Sequence, residues 1–106
     1  MSIKSLLMCV QEGSAVRMMR IDAFGLWNLG SVAPEQVVPF LDEEERPDGL
    51  AVCGKPTAEA KELVGKLTRR ADAPLVSFLN QDNTPLDPFK IYEASWKLID
   101  SSRVAA

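Results

Sequence analysis

The stretch LAVCGKPTAEAKELVGKLTRRADAPLVSFL, residues 50–79, decides the fold. Leu50, Ala51, Val52 and Cys53 form a short apolar run after the Pro47-Asp48-Gly49 turn signal, and Leu75 to Leu79 form another after Pro74. Between them Ala60, Leu63, Val64, Leu67 and Ala71 recur at helical spacing, one apolar stripe on an otherwise charged segment. Glu62 and Lys66 stand four apart as a supporting ion pair, and Arg69 and Arg70 sit where the helix dipole favours cations. Strand, helix and strand within about thirty residues make a βαβ unit, whose strands should run parallel with a right-handed crossover.

Outward from this unit the pattern is less regular. Residues 3–10, IKSLLMCV, are apolar on both alternating sets, which suits a strand covered on its two faces. Gln11-Glu12-Gly13-Ser14 signals a turn, and residues 15–22 are read as the returning strand of a hairpin. A short helix between Ser14 and Gly25 is the competing reading of that segment. Residues 24–30, FGLWNLG, are broken by two glycines and are expected to form a packed loop. Pro34 opens a helix that Pro39 keeps short or kinked, with Val37, Val38, Phe40 and Leu41 as its inner side. Asp87 and Pro88 start a last helix through about residue 102. The expected architecture is a single α/β domain over residues 1–106, with α+β as a variant. It holds a mixed sheet of about four strands and ends in a βαβα unit.

Composition narrows the function classes. The chain has 106 residues, a formal charge of −3, 46% hydrophobic and 25% charged residues, the profile of a globular domain. The net charge argues against a general affinity for nucleic acid or anionic membrane. No run of about 18 apolar residues suggests a membrane span, and a cytoplasmic location is expected. The complete absence of histidine removes imidazole triads, imidazole metal ligands and imidazole proton shuttles. No cofactor, metal or catalytic residue is assigned, and the chain is read as leaning away from enzymes.

The turn Gly54-Lys55-Pro56-Thr57 invites comparison with a phosphate-binding loop. Such a loop needs a first glycine and four spacer residues that wrap N–H groups around phosphates. Both are missing here, and Pro56 removes one of the N–H groups that would bind. A weaker site remains conceivable, because the C-terminal ends of parallel strands are where open α/β sheets hold ligands. Lys55 and Thr57 after one strand, with Asn80 and Asp82 after the next, would be its residues. The simpler account is that Gly54 permits the turn, Thr57 caps the helix, and the Asn/Asp loop satisfies its own backbone.

Cys9 and Cys53 lie in apolar runs and read as reduced core thiols, with Cys53, just before a helix, the better candidate for redox chemistry. Acidic residues crowd 35–48, with Glu43 and Glu44 at their centre, and offer a patch for a basic partner. The last helix is apolar over a wide arc, through Phe89, Tyr92, Trp96 and Ile99 and, beside them, Ile91, Ala94, Ser95 and Leu98. Trp27, Tyr92 and Trp96 are of the residue types that concentrate binding energy at interfaces, and equally of those that fill cores. The leading expectation is therefore a non-enzymatic interaction or regulatory protein that binds another protein, or itself as a homodimer, through the aromatic helix and the acidic segment. The alternative is a small-ligand or anion-binding protein using the strand ends.

Overall fold

The computed structural model describes residues 4–43, 47–70, 73–81 and 85–104. Three antiparallel strands come first: β1 (Leu6–Glu12), β2 (Ala15–Asp22) and β3 (Gly25–Val32). A 3₁₀ turn at Pro34–Gln36 runs into α1 (Val37–Glu43), then β4 (Gly49–Cys53), α2 (Ala58–Arg70), β5 (Leu75–Leu79) and α3 (Pro88–Val104) follow. The sheet order is β3-β2-β1-β4-β5. β1 pairs antiparallel with β2 and parallel with β4, and β4 pairs parallel with β5. The result is a mixed, five-stranded α+β domain with the anticipated βαβα unit at its C-terminal end.

Local chemistry explains the meander. Gly13, at φ 61°, takes the left-handed position that a two-residue hairpin loop requires, so β1 returns directly as β2. At the next turn the Asp22 carboxylate accepts the Phe24 N–H at 2.7 Å and the Gly25 N–H at 3.3 Å, which folds β2 back into β3. Residues 24–30 are thus largely strand, and the sheet has five strands where about four were expected. The glycines that suggested a loop are accommodated at the ends and at an irregularity of β3. The register against β2 shifts between Met18 and Met19, which pair with Gly30 and Asn28, so that Leu29 is the extra residue of a bulge.

β1 is central, and its alternation feeds two cores. On one face Leu6 and Met8 join Met19, Ile21, Ala51 and Cys53 under Ile91, Trp96 and Ile99 of α3. On the other, Leu7 and Cys9 join Val16, Met18, Leu50 and Val52 under Val37 of α1 and Leu63 and Leu67 of α2. Burial on both faces explains why β1 and β4 are continuous apolar runs. Gly49 allows a close approach in the α3 core: a Cβ there would lie 3.0 Å from the Trp96 ring and 3.3 Å from Ile99 and Leu6. The Asp48 carboxylate, one residue earlier, accepts the Ser5 N–H at 2.8 Å and fixes the start of β1 beside β4.

Candidate functional site

Since β1, β4 and β5 are parallel, their C-terminal ends share one margin of the sheet. The Gly54 N–H donates to the Leu79 carbonyl at 2.8 Å, tying the β4 exit to the end of β5. Thr57 caps α2: its hydroxyl oxygen accepts the Ala60 N–H at 3.1 Å, and the hydroxyl donates to Gln11 Oε1 at 3.3 Å. Across the margin Phe78 and Asn80 hold φ of 61° and 56°, left-handed conformations uncommon for residues other than glycine. Phe78 is the extra residue where Val52 pairs with Ser77 and Cys53 with Leu79. The Gln81 amide donates to the Phe78 carbonyl at 2.6 Å and closes this turn.

These groups border an open cleft of about 460 Å³, lined among others by Gln11, Lys55, Thr57, Asn80 and Gln81. The fold therefore gathers Lys55, Thr57 and Asn80, while Asp82 lies outside the described residues. Gln11 and Gln81 were not anticipated. Gln11 enters because β1 lies beside β4, an adjacency that hydrophobic patterning alone does not reveal. The cleft offers amides and one ammonium, and its helix cap is already satisfied by Thr57. Among the described residues no group of three His, Cys, Asp or Glu side chains is placed to hold a metal ion.

Cys53 also borders the cleft, yet its residue is only 1% exposed. Burial pushes its thiol up to about 12, and burial, with a smaller contribution from the nearby Cys53, pushes Cys9 up to about 12. The proximity of α2 does not outweigh desolvation, so neither thiol is held as a thiolate at neutral pH. Cys9 and Cys53 also belong to the cores on opposite faces of the sheet, which separates their side chains.

The aromatic helix is arranged differently from the interface expected of it. Trp96 is 8% exposed and packs in the core against Gly49, the core role that the residue type also allowed. Ile91, Trp96 and Ile99 of α3 lie over this face of the sheet, and the missing side chain at Gly49 leaves room there for the Trp96 ring. Tyr92 is half-buried: its ring stands edge-on to Trp96 at 6.1 Å, and its hydroxyl donates to the Lys4 carbonyl at 3.1 Å. The Lys4 ammonium lies 5.0 Å over the Trp96 ring and 3.8 Å from Asp100. Much of the aromatic surface of α3 is thus engaged within the chain, although Phe89 and Leu98 remain exposed. Of the acidic patch, Glu43 ends α1, and Glu44 lies outside the described residues.

Trp27, in contrast, is exposed. It lies on β3, the edge of the sheet, with Leu26 and Phe24 beside it, at 47%, 39% and 76% exposure. Leu26 pairs with Ile21 on the α3 face, and Trp27 pairs with Arg20 on the opposite face. Not one charged residue occurs from 23 to 34, AFGLWNLGSVAP. Edge strands are commonly protected by charge or proline, and within β3 only the bulge at Leu29 serves that purpose. The β2–β3 turn, with Phe24, lies at the opposite end of β1 from the cleft, since it adjoins the start of β1.

No known protein family matches the chain, and no curated protein is similar to it. Solved structures share its fold. Pelota from Archaeoglobus fulgidus aligns with a TM-score of 0.64 at 14% identity, over 95% of this chain and 35% of that one. Pelota from Thermoplasma acidophilum aligns with a TM-score of 0.59 at 13% identity, over 86% of this chain and 31% of that one. The chain spans about a third of the length of these proteins. At such identities the likeness is one of fold, and the same arrangement of elements thus occurs as one part of larger proteins. No helix among the described residues is long and apolar enough to cross a membrane.

Proposed function

We propose that the protein is a non-catalytic binding domain that meets another protein through β3 and the β2–β3 turn. The observation that carries this reading is the uncharged run of residues 23–34, which exposes Phe24, Leu26 and Trp27 along an unpaired strand edge. Single exposed apolar side chains are ordinary on protein surfaces, but here three fall within four residues of an open edge, with Leu26 and Trp27 on its two faces. A strand edge supplies backbone donors and acceptors for affinity, and side chains on alternate faces supply selectivity. Of the aromatic anchors expected from sequence, the role passes from Trp96 and Tyr92 to Trp27. Capture from a cell lysate with the wild-type chain and with Trp27→Lys, the retained proteins identified by mass spectrometry, tests the reading. Proteins held by the wild type and lost from the variant are expected; identical sets would remove β3 as the contact surface.

A second reading, a small-anion site in the cleft, draws support from the convergence of Lys55, Thr57 and Asn80. Thermal stabilisation by millimolar inorganic phosphate that disappears in Lys55→Ala would favour it. No stabilisation would leave the lysine as a solvated residue at the start of a capped helix.

A further inference from the structure

We infer that the occupant of the β3 edge is a second copy of the same chain, paired antiparallel about a two-fold axis; this rests on the reading of β3 as a contact surface. In such a pairing each strand meets its own sequence, so the composition of the partner is that of β3 itself. From residue 23 to residue 34 that composition is free of charge, so no like charges face one another across the axis. A charged partner strand would find no counter-charge on this edge and would lose hydration on docking.

Closure points the same way. The opposite edge, β5, is also uncharged, LVSFL. A β3-to-β5 contact would be head to tail and would give a ring of several copies or an open fibre, whereas β3 against β3 closes at two copies. The edge of β5 is moreover bent by the bulge at Phe78, with φ of 61° there and 56° at Asn80. On β3 the bulge at Leu29 leaves residues 25–28 as the regular run nearest the turn. Pairing centred there places Leu26 and Trp27 of each copy on the two faces of the joined sheet, with Phe24 at its margin. The contact is small, a patch of roughly a few hundred Å² per copy. It belongs to the weak, concentration-dependent class of association rather than to obligate dimers.

Molar mass by light scattering, followed from about 10 µM to about 1 mM of the intact chain, tests the inference over the range of Kd that weak contacts occupy. The wild type is expected to rise from one chain mass toward two. Trp27→Lys and Trp27→Glu place a charge at an exposed position in the middle of the same run, and each alone is expected to stay monomeric. Mixed in equal amounts, the two are expected to recover a heterodimer, because opposite charges then meet across the axis. A wild type monomeric at every concentration overturns the second copy. So does a dimer indifferent to both substitutions, which would place its interface elsewhere. If neither variant retains the native circular dichroism, amide exchange of the wild type replaces them. Protection at residues 25–28 that grows with concentration is then expected, and unchanged protection overturns the pairing. The broader reading of β3 fails separately, when Trp27→Lys retains every captured protein.

Discussion

The two tryptophans of this chain have opposite fates. Trp96, on α3, is 8% exposed and closes one core over Gly49, whereas Trp27, on β3, is 47% exposed at the edge of the sheet. The residue type carries the same large apolar area in both places. What differs is what the topology puts opposite each one: the centre of a sheet for the first, the end of it for the second. The difference shows why an aromatic residue is evidence for an interface only after the sheet order is known, since central and edge strands can share one local composition.

The largest effect on stability is expected at Trp96. Trp96→Ala should lower stability by about 3–5 kcal/mol, as large core truncations do, measured by urea unfolding. The indole N–H finds no acceptor among the described residues, so Trp96→Phe, which keeps most of the packing and removes that donor, should cost less than about 1.5 kcal/mol. A small effect of the alanine variant would mean that α3 is not anchored on the sheet through this ring.

The buried side of the comparison also carries a pH signature. Cys9 and Cys53 are raised from an ordinary value of 9.0 to about 12 in the folded chain, chiefly by burial. The folded state therefore keeps its thiol protons where the unfolded state has lost them, and stability is full below about pH 9 and falls toward pH 12. Between pH 8 and pH 10.5 the loss should be about 2 kcal/mol per thiol, at 1.36 kcal/mol per pH unit of difference. Removing one titrating group, as in Cys53→Ala, should flatten the alkaline limb of the stability curve by about half. A slope unchanged in that variant would show that the thiol does not titrate in the unfolding transition.

Gly49→Ala probes the space in which Trp96 sits. The added Cβ would stand 3.0 Å from the Trp96 ring and 3.3 Å from the Ile99 and Leu6 side chains, so the packing must yield. A loss of about 1–3 kcal/mol is expected. In the Trp96→Phe background the loss should shrink, since the atom nearest the new methyl is then gone. Equal costs in both backgrounds would mean that Ile99 and Leu6 set the limit instead.

Sequence patterning was informative where the pattern was itself the cause of the structure. The apolar runs at 50–53 and 75–79 and the helical stripe from Ala60 to Leu67 led directly to β4, β5 and α2, because burial on two faces or on one stripe leaves that periodicity. The meander was harder. Gly25 and Gly30 disguised β3 as a loop, since a glycine can end a strand or accompany a bulge as readily as it can break an element. The strand-end residues Lys55, Thr57 and Asn80 could be grouped because parallel strands in a βαβ unit end together. Gln11 could not, as its neighbourhood depends on the placement of β1 beside β4. The choice between core and interface for Trp96 could not be made from sequence for the same kind of reason. Its helix is apolar over a wide arc, and only the glycine at 49, far away in sequence, reveals which part of the arc is core.

The smallest expected effect on stability is at Trp27. Trp27→Ser removes an exposed ring from an edge strand and opens no enclosed cavity, so unfolding in urea at low protein concentration should shift by no more than about 0.5 kcal/mol. The same substitution at Trp96 would fall in the range of several kcal/mol already given for its truncation. A residue that is large, apolar and nearly irrelevant to folding is one whose area is unused by the isolated chain, and that is the physical content of calling β3 a binding surface. The prediction has a second half that separates it from mere tolerance of change. At high protein concentration, where association adds to the stability of the folded state by mass action, the wild type should gain stability relative to Trp27→Ser. A gap that stays constant from dilute to concentrated samples would make Trp27 an ordinary exposed side chain. A gap that widens with concentration would tie the exposed tryptophan, and not the buried one, to what the domain binds.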